Sequence, residues 1–232
     1  MRKELGFALA GIVFASVANG SSFIIDPFAD TQQLTTSNSS NVAGSDLLGG
    51  FRYASITQTS GSLTDSLNTN APTPNVLALS MGAGDTSDMR LLYDGTANTT
   101  GVNAFGLTGI DFTQLGTLSL IRVHLESGQA NSLTMNVYAD ASDYSTATIN
   151  YSNDGLFHNF DTPFTSFVAT GAGADFTNVK AFDVTISGVP QQDLQMAFIS
   201  AEASSTPEPS TMLLLSGGLV GLGVFSRRRR RS

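Results

Sequence analysis

The chain has 232 residues, a net charge of -8, 41% hydrophobic but only 13% charged residues, and no cysteine, which excludes disulfides, thiolate metal sites and a cysteine nucleophile. The bases gather at the two ends, so that between Ser21 and Thr206 four bases face seventeen acids, a net of -13; such a body repels phosphate backbones and excludes nucleic acid as a partner. A surface this poor in charge is built from Ser, Thr, Asn, Gln and Gly, which suits strands and turns better than helices.

The first element is an address. Met1-Arg2-Lys3 is followed by an apolar run from Leu5 to Val17 and by small residues through Ala18-Asn19-Gly20. This is the order of a secretory signal peptide over residues 1–20, cut after Ala18 or after Gly20. The run is short for a permanent membrane helix. The next segment, residues 21–205, has the length of one domain with a single core.

Within that domain the pattern has period two. Leu77, Leu79 and Met81 alternate with polar or small residues, as do Met89, Leu91 and Tyr93, and then Leu133, Met135, Val137 and Ala139. The same period marks Ile121 to Glu126, Phe182 to Ile186, and Leu194, Met196 and Phe198. Ser37 to Gly50 and Ser60 to Asn75 are rich in Ser, Thr, Asn, Gly and Pro and are predicted as loops. No stretch before the C-terminal tail holds a 3.6-residue period over helical length. Roughly ten short strands with one apolar face predict an all-β fold, an antiparallel β-sandwich of jelly-roll type. It is flanked by an N-terminal signal helix and a C-terminal single transmembrane helix.

Chemistry-bearing residues are few. His124 alternates with Arg122 and Glu126 on a polar strand face, and His158 comes after the turn Asn153-Asp154-Gly155. Neither belongs to a Gly-x-Ser-x-Gly elbow or to zinc-ligand spacing. The acidic loops, with Asp85, Asp88, Asp140, Asp143 and Asp154, could supply calcium with oxygens, although none matches the EF-hand pattern. Tyr53, Tyr93, Tyr138, Tyr144 and Tyr151 are the rings on which a sugar could stack. Tyr138 falls on the polar face of its strand and Tyr144 in a predicted loop.

The last element, residues 206–232, is a second address. Pro207-Glu208-Pro209 can continue neither helix nor strand and presents an extended, accessible segment. After it come an apolar stretch from Met212 to Phe225 and a basic cluster, Arg227, Arg228, Arg229, Arg230 and Arg231. As a helix the segment from Thr211 to Ser226 spans about 24 Å, short of a hydrocarbon core of about 30 Å, and the arginines extend it and hold that end in the cytoplasm. This order resembles the PEP-CTERM sorting signal. The resemblance implies an exosortase that recognises Pro207 to Pro209 and removes the tail, an inner-membrane precursor, and a final place at the cell surface or in the extracellular matrix.

The body is also similar to a domain of PEP-CTERM proteins through Phe23-Ile24-Ile25-Asp26-Pro27-Phe28, the segment Gly44 to Arg52, Tyr93-Asp94-Gly95, Gly109-Ile110-Asp111-Phe112, and the closing stretch from Asp175 to Ser200. Where members often show Gly-Gly-Glu-Arg-Asp, this chain has Gly49-Gly50-Phe51-Arg52-Tyr53. Similar jelly-roll domains often carry a structural calcium near the joined first and last strands. That resemblance points to Asp26 and Glu202 as metal ligands. The functional expectation is a non-enzymatic surface or matrix protein; the alternatives are a carbohydrate-binding module of the exopolysaccharide matrix and, third, a glycan-active enzyme.

Overall fold

The computed structural model describes residues 22–97, 101–103 and 105–204. The signal segment and the sorting tail lie outside the described residues. The strands are β1 (Ser22–Asp26), β2 (Gln32–Thr35), β3 (Asn38–Ala43), β4 (Phe51–Ser60), β5 (Ser66–Thr69), β6 (Leu77–Ser80) and β7 (Thr86–Tyr93). They continue as β8 (Leu120–Ser127), β9 (Asn131–Tyr138), β10 (Tyr144–Tyr151), β11 (His158–Pro163), β12 (Val168–Thr170), β13 (Ala181–Ser187) and β14 (Asp193–Glu202). The only helical pieces among the described residues are two single 3-10 turns, Leu48–Gly50 and Phe164–Ser166.

Two antiparallel sheets form. One runs β11-β8-β14-β6-β5-β2, with β1 also paired to β14, and the other runs β12-β10-β9-β13-β7-β4-β3. The predicted alternation becomes the interior: Ile121, Val123, Leu125, Leu194, Met196 and Ile199 from the first sheet meet Met89, Leu91, Met135, Val137, Val184 and Ile186 from the second in one buried cluster. The architecture is therefore the expected all-β sandwich.

Four expectations change, one of them at Tyr144, which opens β10 opposite Tyr138 instead of lying in a loop. β3 lies inside the predicted loop 37–50 and β5 inside the loop 60–75. β3 is a sheet-edge strand with no buried residue, and β5 buries only Leu67 and Thr69, so neither leaves an apolar repeat to read. Phe198 is not in the core. A register shift between Met196 and Phe198 turns the strand over, so that Ile199 and Ala201 point inward and Phe198 stays partly exposed. A bulge of this kind inserts one residue and exchanges the faces beyond it.

One polar group crosses the sandwich. Arg52 on β4 is fully buried; its Nη1 meets Asp26 Oδ2 of β1 at 2.7 Å, and its Nε donates to Gln32 Oε1 of β2 at 2.9 Å. Its Nη2 donates to the Asp30 carbonyl and to Thr69 Oγ1 of β5, each at 2.9 Å. Asp26 also accepts from the Tyr93 hydroxyl at 2.6 Å and from the Phe28 amide at 2.6 Å, and the guanidinium lies 5.6 Å from the Phe28 ring centroid. Burial first, and then the Asp26 carboxylate, hold the Tyr93 phenol well above its ordinary pKa.

The turns are tied by aspartates. Asp94, Asp111, Asp140 and Asp175 each accept from the backbone N–H two residues on and from the hydroxyl of that same Thr or Ser, the Asx-turn geometry. Asp85 accepts from Ser62 N and Leu63 N of the neighbouring turn, and Asp65 accepts from Gly82 N and the Ser87 hydroxyl. Three carboxyls are held below the ordinary pKa by such bonds: Asp111 chiefly by the Thr113 hydroxyl, Asp140 by the Ser142 N–H, and Asp154 by the Leu156 N–H and then His158.

Both sets of contacts can be tested by unfolding. Asp26→Leu alone strands a buried guanidinium and should cost about 3–5 kcal/mol in urea unfolding, whereas Asp26→Leu with Arg52→Met should cost clearly less than the sum of the two single changes. Equal additivity would show that the pair is not coupled. For the turns, a folded pKa below the unfolded one means stability that is present above the unfolded value and lost as pH falls through the folded one. The melting temperature should therefore hold from pH 8 to about 5 and drop below about 4, and Asp140→Asn should reduce that drop.

Candidate functional site

The sequence-derived sites scatter. Pro207, Glu208, Pro209 and Arg227 to Arg231 lie outside the described residues. Asp26 and Glu202 do not form a shared cation site, although the first and last strands do pair as expected. In that pairing Ser22 faces Glu202 while Asp26 faces Ile199, so the two acids stand roughly 13 Å apart along the strand at about 3.3 Å per residue. Asp26 is committed to Arg52 and Tyr93, and Glu202 accepts from the Ser200 hydroxyl at 2.8 Å and faces Arg122 Nη1 at 3.7 Å. Among the described residues no group of three or more His, Asp and Glu is placed to hold a metal.

His158 pairs with Asp154 Oδ2 at 2.7 Å. Ser152 reaches that same carboxylate oxygen, at 3.5 Å, and not the imidazole. A nucleophile has to contact its base, so this connectivity does not prepare an attacking oxygen. Of the tyrosines, Tyr93 and Tyr151 are interior. Tyr151 accepts from Gln192 Nε2 at 3.0 Å, and burial pushes its phenol up to about 12.

The outer face of the first sheet carries a feature that period-two reading misses. His124 stands between Phe157 and Phe198, stacked on both, with centroids at 5.0 and 5.2 Å and interplanar angles of 19° and 15°. Its Nδ1 lies 2.7 Å from Asn159 Oδ1, an acceptor, so Nδ1 carries the proton when the ring is neutral. The bulge before Phe198 supplies one wall, and Phe157, 38% exposed, supplies the other. The only sequence signal was Phe157-His158-Asn159-Phe160, which brings a ring to the β11 edge.

The outer face of the second sheet is polar and more tightly fixed. Successive cross-strand partners run Asn41, Tyr53, Leu92, Asp183, Asn136, Thr146 from β3 to β10. Beside them run Ser39, Ser55, Arg90, Thr185, Thr134, Thr148. Asp183, only 2% exposed, takes Arg90 Nη2 at 2.8 Å and Nε at 3.1 Å, Asn136 Nδ2 at 2.7 Å and the Tyr138 hydroxyl at 3.4 Å. Asn136 Oδ1 in turn accepts from Thr146 Oγ1 at 2.7 Å. Burial, then Asp183, raises the Tyr138 phenol, and the Tyr138 ring sits 5.4 Å from that of Tyr144 at 34°. At the β3 end the face opens into a cavity of about 330 Å³ lined by Ser39, Tyr53, Ser55, Thr57 and Arg90 among others. Arg90 and Asp183 are 93 residues apart, which explains why no linear pattern announced the pair.

Comparison with known proteins gives a linear match and distant likenesses. No curated protein matches the chain. Among solved structures, the chain is similar to the family 11 carbohydrate-binding module of the cellulosomal cellulase Lic26A-Cel5E of Clostridium thermocellum, at 11% identity over 83% of this chain and 99% of that one, with a TM-score of 0.43. It is also similar to CBM29_1, a family 29 carbohydrate-binding module from Piromyces equi, at 9% identity over 81% of this chain and 93% of that one, with a TM-score of 0.36. Likeness at this level carries no argument about ligand or activity. Residues 205–231 match the family model described as the PEP-CTERM protein-sorting motif, and the chain is accordingly a protein that carries a PEP-CTERM sorting signal at its C-terminal end.

Proposed function

We propose that this protein is exported, held briefly in the inner membrane by its tail, cut by an exosortase at Pro207 to Pro209, and delivered to the cell surface or the extracellular matrix. The observation that carries the reading is the sorting motif over residues 205–231. It starts three residues after the last strand ends at Glu202. The sandwich works there by display and binding rather than by turnover, in line with a His158, Asp154 and Ser152 set whose contacts run in the wrong order for catalysis. Calcium has no part in this reading, because Asp26 and Glu202 stand apart along the paired strands, each with its own partners.

A second reading, binding of carbohydrate in an exopolysaccharide matrix, is favoured by one observation: the fixed Arg90, Asp183 and Asn136 constellation beside the partly buried Tyr138 and Tyr144 rings. Few fixed polar groups next to aromatic faces are the usual makings of a sugar site.

The sorting step is tested by replacing Pro207-Glu208-Pro209 with three alanines. The apolar segment and Arg227 to Arg231 are untouched, so insertion and orientation should persist. The variant should accumulate in the inner membrane with its tail, while the unaltered protein leaves the cell without it. Fractionation with one antibody against the sandwich and another against an epitope placed after Ser232 reads both. Equal release of the two forms, or retention of the epitope on the released protein, would reduce the motif to a linker.

A further inference from the structure

We infer that the outer face of the second sheet, from the β3 and β4 cavity to the Tyr138 and Tyr144 pair, is a binding cleft for a neutral glycan chain running across the strands. The inference rests on the carbohydrate reading and adds to it the face, the direction and the charge of the ligand. The two rows, polar apart from the buried Leu92, cross six neighbouring strands, β3, β4, β7, β13, β9 and β10, and so span roughly 24 Å at about 4.8 Å per strand. That length suits an extended oligosaccharide better than a single small molecule.

The chemistry along the rows is that of hydroxyl recognition. One row is Ser39, Ser55, Arg90, Thr185, Thr134 and Thr148, every member but the arginine a hydroxyl that both donates and accepts. Two Arg90 nitrogens are bound to Asp183 and so aim the guanidinium, whose side chain remains 25% exposed. Asp183 is nearly sealed from solvent and held from both sides, so the group at the centre of the cleft is rigid before any ligand arrives. Preorganised polar groups of this kind spare the ligand the cost of ordering them.

Asn41 closes the first row at its β3 end. Its Oδ1 is buried and has no hydrogen-bond partner, and Asn41 faces Tyr53, a cavity-lining residue, across the β3 and β4 pairing. The aromatic requirement is met at the other end, where the Tyr138 and Tyr144 rings lie side by side.

Charge selects the neutral ligand. The one guanidinium of the cleft is already neutralised by Asp183, Asp88 is exposed on the same β7 face, and the domain as a whole carries a net of -13. A uronic-acid polymer would meet repulsion and find no unpaired cation in the cleft.

The test uses the full chain purified in detergent and an array of neutral hexasaccharides of glucose, mannose and galactose, with polygalacturonate as the acidic probe. Tyr144→Ala removes stacking at one end and Ser55→Gln fills the cavity at the other; both positions are partly exposed, and retention of the strand circular dichroism signal confirms that each variant folds. Phe157→Ala on the opposite face is the control. At least one neutral hexasaccharide should bind, Tyr144→Ala and Ser55→Gln should each weaken it about tenfold or more, and Phe157→Ala should leave it unchanged. Binding that falls only with Phe157→Ala, or that ignores all three changes, overturns the cleft while the carbohydrate reading stands. No binding to any neutral probe overturns the carbohydrate reading itself, and tighter binding of polygalacturonate overturns the charge argument.

Discussion

A guanidinium with no solvent contact is stable inside a protein only if its donors are occupied and its charge is met. Arg52 satisfies both conditions by reaching from β4 in one sheet to β1, β2 and β5 in the other. The surrounding Leu, Ile, Val and Met side chains are attracted without direction, and layers of them could settle in several relative alignments. The Arg52 contacts permit only one, because Asp26, Gln32, Asp30 and Thr69 must arrive together. A buried ion pair adds little net stability over an apolar substitute, so its value here lies in register rather than in strength. Three segments far apart in the chain, those ending at Phe28 and Arg52 and the one opening at Tyr93, supply the acid, the base and the phenol of this one node. Their spacing along the chain is an imprint of sheet assembly, not of a ligand.

The excess of acid has a related explanation. A carboxylate that takes a backbone N–H and a neighbouring hydroxyl closes a turn without a metal and without a second charged residue, and the pattern Asp-x-Thr or Asp-x-Ser does so at Asp94, Asp111, Asp140 and Asp175. Each bond is local and survives the general repulsion of a domain at -13, because a direct hydrogen bond outweighs charges spread over a solvated, screened surface. In sequence, an aspartate among Gly, Ser and Thr looks the same whether it awaits calcium or closes a turn. The difference is whether acids from separate loops converge, and Asp26 and Glu202 show that they need not, even on paired strands.

How much was legible depended on how local the cause was. Strands with one buried face, such as β8 and β9, stood out because every second residue is apolar, and the interior follows that alternation. β3 was illegible because an edge strand with no buried side chain has no alternation to keep. Phe198 was assigned to the wrong face because a single inserted residue at Ala197 reverses the parity, and nothing in Met196-Ala197-Phe198 marks a bulge. That same reversal creates the His124 stack. The polar cleft depends on Arg90 and Asp183 meeting across 93 residues, and pairings of that range are set by topology alone. The sorting motif was legible in full because its recognition is written along a single stretch of chain.

Strand order also bears on how sorting and folding are connected. β14 is not an edge: it lies between β8 on one side and β6 and β1 on the other. Its last residue, Glu202, pairs with Ser22, the first residue of β1, so both ends of the folded chain leave from the same end of the sandwich. Until β14 is in place, β8 presents an unpaired edge and the inner faces of the first sheet stay apart, a state that invites association with other chains. Only four residues, Ala203 to Thr206, separate that strand from Pro207, a reach of at most about 18 Å. On the proposed route, a chain exported from its N-terminal end would therefore complete its sandwich only as the sorting motif reached the membrane. On the sorting route proposed above, a tail held in the bilayer through that interval would keep the incomplete sheet next to the membrane, and cutting at the motif would then free a domain whose last strand is already paired on both sides.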